Sequence, residues 1–380
     1  MDLVELEPVA AATVAGVVVV HAGQPAQPAD GHEAATRAAL AREIAALKGY
    51  AFAGEFDVAF RYPGAVYHVP RETIVASEAA ALGIRGAADL FGGVVPQAFV
   101  ATKSIGHPLV AADAVAPEGW SNAFAEAVAD DVLEGHSAFS AGDAIAAGMR
   151  LLARGAVRVK RSLGIGGAGQ VVVGDRASLV DAVQAIAHDE LAQCGVVLER
   201  NLDDVVTLSV GRVELGASVV TYHGTQRVAR NNAGREVYGG SALVVTRGDF
   251  DALQAIDLPP DVAEAIARAR RYHAAALKHY PGLVLSRSNY DVLRGTDATG
   301  RVRCGVLEQS WRLGGATGAE LAALRAFARD PSLRVVRAAT VERYGPFEPV
   351  PADATVHYRD TDPRVGPLTK YVVCRSHGHA

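Results

Sequence analysis

The sequence predicts a mixed α/β (α+β) protein organised in three parts. Strand-like and helix-like segments alternate over the first ninety or so residues, and two strand patterns flank a glycine-rich loop at residues 157–173. Two further strand patterns carry acidic residues at 282–315. Alternating elements predict a small α/β domain, whereas strands joined by short turns predict antiparallel hairpins. We expect an N-terminal α/β domain (1–97), a linker and lid subdomain with the glycine hairpin (98–200), and a largely antiparallel C-terminal subdomain with a metal site (201–380).

The composition argues against several functional classes. The 380 residues are 50% apolar, the formal net charge is -5 and the sequence pI is about 6.2, so neither nucleic acid nor a membrane is an expected partner. The three cysteines stand in no CxxC spacing, which favours a reducing, cytoplasmic location over a disulfide framework or a zinc site. The apolar run at residues 9–20 follows acidic residues and is too short to span a bilayer, so it predicts a buried strand.

The N-terminal domain is predicted from short alternating elements. The β-branched run at residues 17–20 is typical of a strand covered on both faces. A helix at 32–47, a strand at 65–69 and a helix at 71–83 follow. These segments contain no chemistry that the sequence identifies.

The linker to the lid contains Lys103 in the segment FVATKSIGHPL, where a solvated lysine is the ordinary interpretation. A helix is expected at 123–132, followed by a connection at 134–139. Ser140 is the predicted N-cap of the next helix, with Asp143 three residues later.

The segment VRVKRSLGIGGAGQVVV at residues 157–173 is the strongest local signal for a binding site. Its loop carries four glycines, Gly164, Gly166, Gly167 and Gly169. Three of them satisfy the dinucleotide pattern GxGxxG, but a strand pattern follows where that fingerprint requires a helix. We therefore predict a hairpin whose backbone N–H groups cover a phosphate, with Lys160 supplying positive charge. The alternative is a hairpin without a ligand.

Further elements follow the loop. Helices are predicted at 177–188 and 260–279, strands at 195–198, 205–210 and 215–222, and a polar loop at 224–240. Glu199 ends a buried strand and is expected to meet a donor from a ligand or from the protein, because an unpaired buried carboxylate is costly. The polar loop holds donors suited to an anionic substrate, although an ordinary surface loop is the alternative: Gln226, Arg227, Arg230, Asn231 and Asn232.

Two acidic residues are predicted to meet in the C-terminal hairpin. Asp291 lies on one strand and Glu308 ends the returning strand. Close carboxylates repel unless a cation lies between them, and magnesium bound to ATP phosphates requires few protein oxygens. Ser310 and Arg312 lie further along the same strand. The alternative is a pair of exposed carboxylates matched by nearby arginines.

The order of these features resembles the ATP-grasp superfamily of carboxylate-amine ligases. A lysine strand, a glycine hairpin, a strand ending in Glu, and an Asp strand followed by Glu-x-Ser-x-Arg-x-Gly-Gly together span residues 103–315. The segments YHGTQRVARNNAGREVYGGS and VLEQSWRLGGATGAEL are further similar to an uncharacterised bacterial family placed beside these enzymes. The resemblance implies an ATP-grasp fold behind a small N-terminal domain.

The resemblance also implies which residues would bind the nucleotide. Lys160 would contact the α- and β-phosphates, the glycine loop from Gly164 to Gly169 would close over them, and Lys103 would be a second nucleotide lysine. Glu199 and the backbone near Leu198 would meet the adenine. Asp203 or Asp204 would replace the usual ribose-binding glutamate, since Thr207 stands about where it is expected.

The resemblance likewise implies a metal and catalytic set. Asp291, Glu308 and Ser310 would hold Mg²⁺, with Mn²⁺ as the substitute, although Ser310 stands where the family usually has Asn. Arg312 would lie near the transferred phosphate or acyl group. Arg287 would replace an arginine common at position 289, which is Asn in this chain.

The implied activity is an ATP-dependent ligase that activates a small carboxylate as an acyl phosphate for attack by an amine. The alternatives are an ATP-grasp-like phosphotransferase, a non-catalytic nucleotide-binding protein and, least favoured, a nicotinamide-dependent dehydrogenase. A homodimer is the default assembly. The segment from residue 341 to the end receives no function.

Overall fold

The computed structural model describes residues 15–21, 31–164 and 169–376. Its strands, in chain order, are β1 (Gly16–Val20), β2 (Ala51–Glu55), β3 (Ala65–Val69), β4 (Ile74–Val75), β5 (Gly93–Val95), β6 (Gly135–Ala138), β7 (Val157–Arg161), β8 (Gln170–Val173), β9 (Val196–Arg200), β10 (Asp203–Leu215), β11 (Ser218–Arg230), β12 (Glu236–Arg247), β13 (Val284–Leu285), β14 (Arg287–Thr296), β15 (Val302–Ser310), β16 (Val335–Tyr344), β17 (Thr355–Asp362) and β18 (Gly366–Ser376). Its α-helices are α1 (His32–Lys48), α2 (Ala76–Ala81), α3 (Asn122–Ala127), α4 (Ala141–Leu152), α5 (Arg176–Gln184), α6 (His188–Cys194), α7 (Phe250–Gln254), α8 (Pro260–His279) and α9 (Thr317–Arg329).

The N-terminal region contains a parallel sheet in the order β2-β1-β3. The four valines of β1 are buried, which confirms the predicted strand, and α1 packs on the sheet until Gly49 ends it in the left-handed conformation. The predicted helix at 71–83 is shorter, because β4 occupies its first part. The strand β2 was missed, since its sequence AFAGE lacks a β-branched pattern.

The lid region contains an antiparallel sheet in the order β6-β9-β7-β8. The strands β7 and β8 form the predicted hairpin, with Lys160 opposite Gln170. Because Gln170 begins a strand, the helix that the dehydrogenase interpretation requires is absent at this point. Ser140 caps α4 as predicted, accepting a hydrogen bond from the Asp143 N–H. The predicted connection at 134–139 is instead the strand β6.

The C-terminal region is built on an eight-stranded antiparallel sheet in the order β15-β14-β10-β11-β12-β16-β18-β17. The prediction of a polar loop at 224–240 was wrong. Most of this segment belongs to β11 and β12, which are joined by a turn at 231–235. Many side chains of the β11–β12 hairpin are exposed, which explains the polar composition of residues 224–240. The segment after 341 forms the end of β16 and the strands β17 and β18.

Alternation along β14 decides which residues can reach the candidate site. Successive strand residues point to opposite faces. Tyr290 and Val292 are buried against the α8 side of the sheet. Arg287, Asn289 and Asp291 therefore point to the opposite face.

The strand β17 of the C-terminal region also contacts the N-terminal region. Asp362 accepts a 2.7 Å hydrogen bond from the His32 N–H at the start of α1. His357 on β17 contacts Glu43 on α1 at 2.7 Å. One hydrophobic core joins α1 and β1 with α9 and β16, so the proposed boundary near residue 97 stays a prediction. In the described ranges, no helix combines the length and apolar character needed to cross a membrane.

Candidate active site

The two predicted carboxylates lie directly opposite each other across a strand pair. Asp291 of β14 is registered against Glu308 of β15, and Asn289 against Ser310. The register shifts immediately after Asp291, which then places Val292 opposite Val306. Such bulges redirect side chains and are frequent beside active sites. The predicted hairpin pairing of the two acids is confirmed.

Asp291 is surrounded by donors that hold one of its oxygens in place. Its Oδ1 accepts hydrogen bonds from Asn289 Nδ2 at 3.0 Å, Gln226 Nε2 at 3.0 Å and Ser209 Oγ at 3.2 Å. Burial and the negative charge of Glu308 nevertheless raise the pKa of Asp291 to about 6. Burial and Glu308 together outweigh the three hydrogen-bond donors. The ionised form of Asp291 is therefore disfavoured, and a bound cation would stabilise it.

Lys103 connects the carboxylates to the glycine loop. It starts a buried 3-10 turn (Lys103–Gly106), and its Nζ lies 2.6 Å from Glu308 Oε2. The same Nζ donates to the carbonyl oxygen of Gly164 at 2.9 Å. Gln309 anchors this segment to β15 by donating to the Thr102 carbonyl oxygen at 2.7 Å. The solvated-lysine interpretation is therefore wrong for Lys103, which is 6% exposed.

Lys160 and Glu199 form a buried ion pair in the lid sheet. Both are almost fully buried, and the Lys160 Nζ contacts Glu199 Oε1. His107 Nε2 lies 3.5 Å from Glu199 Oε2. Burial raises the pKa of Glu199, but Lys160 and His107 outweigh it and lower that pKa to about 2. Glu199 thus stays a carboxylate, and its expected donor is a protein lysine in this structure.

The other residues predicted to bind the nucleotide lie in different environments. Leu198 lies between β6 and β7, and its side chain is fully buried in the lid core, which leaves only its backbone for any ligand. Asp204 is exposed at a bulge in β10 and has a φ of 50°. Gly169 has a φ of 73°, a backbone conformation that favours glycine. Gly166 and Gly167 lie outside the described residues.

The two predicted catalytic arginines differ in environment. Arg287 is 1% exposed and its Nη2 lies 2.7 Å from Glu320 Oε1, a side chain with no exposed area. It also donates to the Arg312 carbonyl oxygen at 2.6 Å. The enclosed side chain thus holds the backbone around Ser310 and Arg312, and its catalytic role stays a prediction. Arg312 is partly exposed and pairs with Glu72 of the N-terminal region at 3.0 Å.

Sequence reasoning missed three members of this arrangement. His107 lies beside Glu199, and Glu320 neutralises Arg287. The Tyr222 hydroxyl lies 2.6 Å from Glu320 Oε1 and 2.9 Å from Asn289 Oδ1, and its one proton can be donated to either acceptor. No local motif marks them, because each comes from a different element. Gln226 was recognised as a donor but was assigned to a loop, whereas on β11 it reaches Asp291.

The donor set fits a hard divalent cation that takes most of its ligands from elsewhere. Among the described residues, no group of three or more His, Cys, Asp or Glu side chains could enclose a metal. Two carboxylates and a hydroxyl suit magnesium that also binds phosphate and water. Two buried atoms beside Lys160, Glu199 Oε2 and His107 Nδ1, form no hydrogen bond, which is consistent with a polar ligand at this position.

The lid sheet and the large antiparallel sheet form an ATP-grasp fold, as the sequence predicted. Biotin carboxylase from Campylobacter jejuni, solved as a β-γ-ATP complex, is 12% identical with a TM-score of 0.52, over 96% of this chain and 88% of that chain. N5-carboxyaminoimidazole synthetase from Staphylococcus aureus is 11% identical with a TM-score of 0.50, over 96% and 94%. The biotin carboxylase domain of Hydrogenobacter thermophilus 2-oxoglutarate carboxylase, solved with MgADP and bicarbonate, is 11% identical with a TM-score of 0.51, over 96% and 87%. At these identities the likeness concerns the fold.

The chain belongs to the family described as "Protein of unknown function (DUF3182)", whose model matches residues 18–372. Membership in an uncharacterised family agrees with the second resemblance seen in the sequence. No curated protein matches the chain.

Proposed function

We propose that the protein is a magnesium- and ATP-dependent ligase that activates a small carboxylate as an acyl phosphate. The observation that carries the proposal is the position of Lys103. Its Nζ contacts both Glu308 and the Gly164 carbonyl oxygen, so the carboxylate pair and the phosphate loop meet at one cation. Two of the similar solved structures, a biotin carboxylase and a biotin carboxylase domain, are complexes with β-γ-ATP and with MgADP.

In this proposal the two lysines and the loop bind the triphosphate. Lys160 is already buried and fixed by Glu199, so little side-chain entropy is lost when it meets a phosphate. Lys103 exchanges its contact with Glu308 for one with the nucleotide, which frees that carboxylate for metal. Asp291 and Glu308 would hold magnesium, which supplies positive charge to the phosphate oxygens when it is bound.

The proposed reaction has two displacement steps and needs no covalent enzyme intermediate. A substrate carboxylate oxygen attacks the γ-phosphorus, the bond to the bridging oxygen of ADP breaks, and ADP leaves. An amine or similar nucleophile then attacks the acyl carbon, phosphate leaves, and the amine loses a proton. In this proposal the glycine hairpin keeps water away from the acyl phosphate until the nucleophile attacks, which prevents its hydrolysis.

A trapping assay tests the chemistry. MgATP and a panel of small carboxylic acids are incubated with the protein and hydroxylamine, which converts acyl phosphates to hydroxamates. The proposal expects ADP and hydroxamate in equal amounts with at least one acid, and neither product from Glu308→Ala. Glu118→Ala, a change at an exposed glutamate, is the matched control. ADP formed with a stable phosphorylated product and no hydroxamate would instead identify a phosphotransferase.

A further inference from the structure

An arginine cluster lies at the edge of the N-terminal sheet that adjoins the candidate site. The strands β1, β2 and β3 are parallel, so their carboxyl ends share one edge, where α/β sheets bind ligands. Arg71 follows β3 at this edge, and Arg37 lies in the second turn of α1.

Ion pairs join this edge to the C-terminal region. Arg71 lies 3.2 Å from Glu33 and 3.7 Å from Glu72. Glu72 in turn lies 3.0 Å from Arg312, two residues beyond Ser310. In addition, Thr73 donates to the Trp311 carbonyl oxygen at 3.2 Å. The sheet edge is thus continuous with the strand end that carries Glu308.

Arg37 is the cation of this cluster for which the described residues form no close ion pair. Burial lowers its pKa, although Glu55, Glu33 and Glu72 act in the opposite direction from a greater distance. Arg37 is 9% exposed, and its Nε is buried without a hydrogen-bond partner among the described residues. No carboxylate of the described residues lies within ion-pair distance of it. Glu33 and Glu72 are already matched with Arg71 and Arg312. A buried guanidinium without a close counter-charge is costly, so its retention calls for a partner that the described residues do not supply.

We propose that Arg37 binds an anionic group of the carboxylate substrate, distinct from the carboxylate that is activated. This inference rests on the proposed function and narrows its substrate class to small acids carrying a second carboxylate or a phosphate. Arg37 presents a planar fork suited to either group, and Arg71 adds positive charge nearby. This places the anion away from the predicted polar loop, whose Arg227 and Arg230 are exposed on β11.

Thermal unfolding in the presence of anions tests the proposal. Wild type, Arg37→Met and Arg42→Met are melted in chloride, in millimolar inorganic phosphate and in millimolar succinate at equal ionic strength. Arg42 lies on the same helix but is exposed, with its guanidinium over the Phe52 ring. We expect phosphate or succinate to raise the Tm of wild type and Arg42→Met by about 2 °C, and that of Arg37→Met not at all. The anion that raises the Tm shows whether the second anionic group of the substrate is a phosphate or a carboxylate.

The unliganded variant gives a second readout. Removing an unpaired buried charge leaves Tm in chloride unchanged or higher, whereas a structural arginine would lower it. A lower Tm of Arg37→Met in chloride, an equal anion response in wild type and Arg37→Met, or no response in wild type would each overturn the proposal. Calorimetry with MgATP separates this from the proposed function, because Arg37→Met retains nucleotide affinity if only the anion subsite is lost.

Discussion

Replacing Asp291 by Asn should stabilise the unliganded protein at high pH. The pKa of Asp291 is raised from 3.8 to about 6 by burial and by Glu308. A group with a raised folded-state pKa stabilises the fold below pH 4 and loses that contribution as pH rises through 6. Two pKa units correspond to about 3 kcal/mol, which solvent screening of this partly buried carboxylate reduces to about 2 kcal/mol. Asn keeps one oxygen for the donors Asn289, Gln226 and Ser209.

The assay is urea unfolding of wild type and Asp291→Asn in EDTA at pH 4 and pH 8. We expect the variant to be more stable by about 2 kcal/mol at pH 8 and nearly equal to wild type at pH 4. Asp113→Asn, at an exposed position, should show no pH-dependent difference. Equal stability of Asp291→Asn and wild type at both pH values would refute the carboxylate repulsion argued for this site.

Three further predictions concern the supports of the site. Glu320→Gln leaves the buried Arg287 without its counter-charge, so the free energy of unfolding should fall by about 3–5 kcal/mol in urea; a loss below 1 kcal/mol would contradict that pairing. Gln309→Ala leaves buried polar groups unpaired and frees the segment carrying Lys103, so calorimetry should show weaker MgATP binding by roughly tenfold or more; unchanged affinity would count against this anchoring. Gly240→Ala places a Cβ against the Thr340 carbonyl oxygen at a φ of 132°, so Tm should fall, with about 1–3 kcal/mol lost; an unaltered melt would show that the backbone adjusts.

The sequence predicted the elements whose pattern is local. The β7–β8 hairpin depends on two β-branched runs and a glycine loop, and the helix over 260–279 on its 3.6-residue period and proline start. The pairing of Asp291 with Glu308 follows from a hairpin with a short turn. Each of these signals lies within about thirty residues, where periodicity and turn chemistry decide the structure.

What the sequence did not predict depends on contacts between distant segments. Arg287 is enclosed because α9 brings Glu320 against it, 33 residues away in the chain. Lys103 is buried because Gln309 ties its segment to β15 across 207 residues. The long β11–β12 hairpin was taken for a loop because its outer residues are exposed, so no apolar alternation marks them.

Lys160, Lys103 and the Asp291–Glu308 pair are proposed to form one MgATP site. The most direct test is calorimetric titration of MgATP into wild type, Lys160→Ala and Glu308→Ala, with Lys278→Ala as an exposed-lysine control. We expect magnesium-dependent binding to wild type and Lys278→Ala, and a loss of affinity in both site variants. Absence of binding to wild type, or full affinity in both site variants, would contradict it.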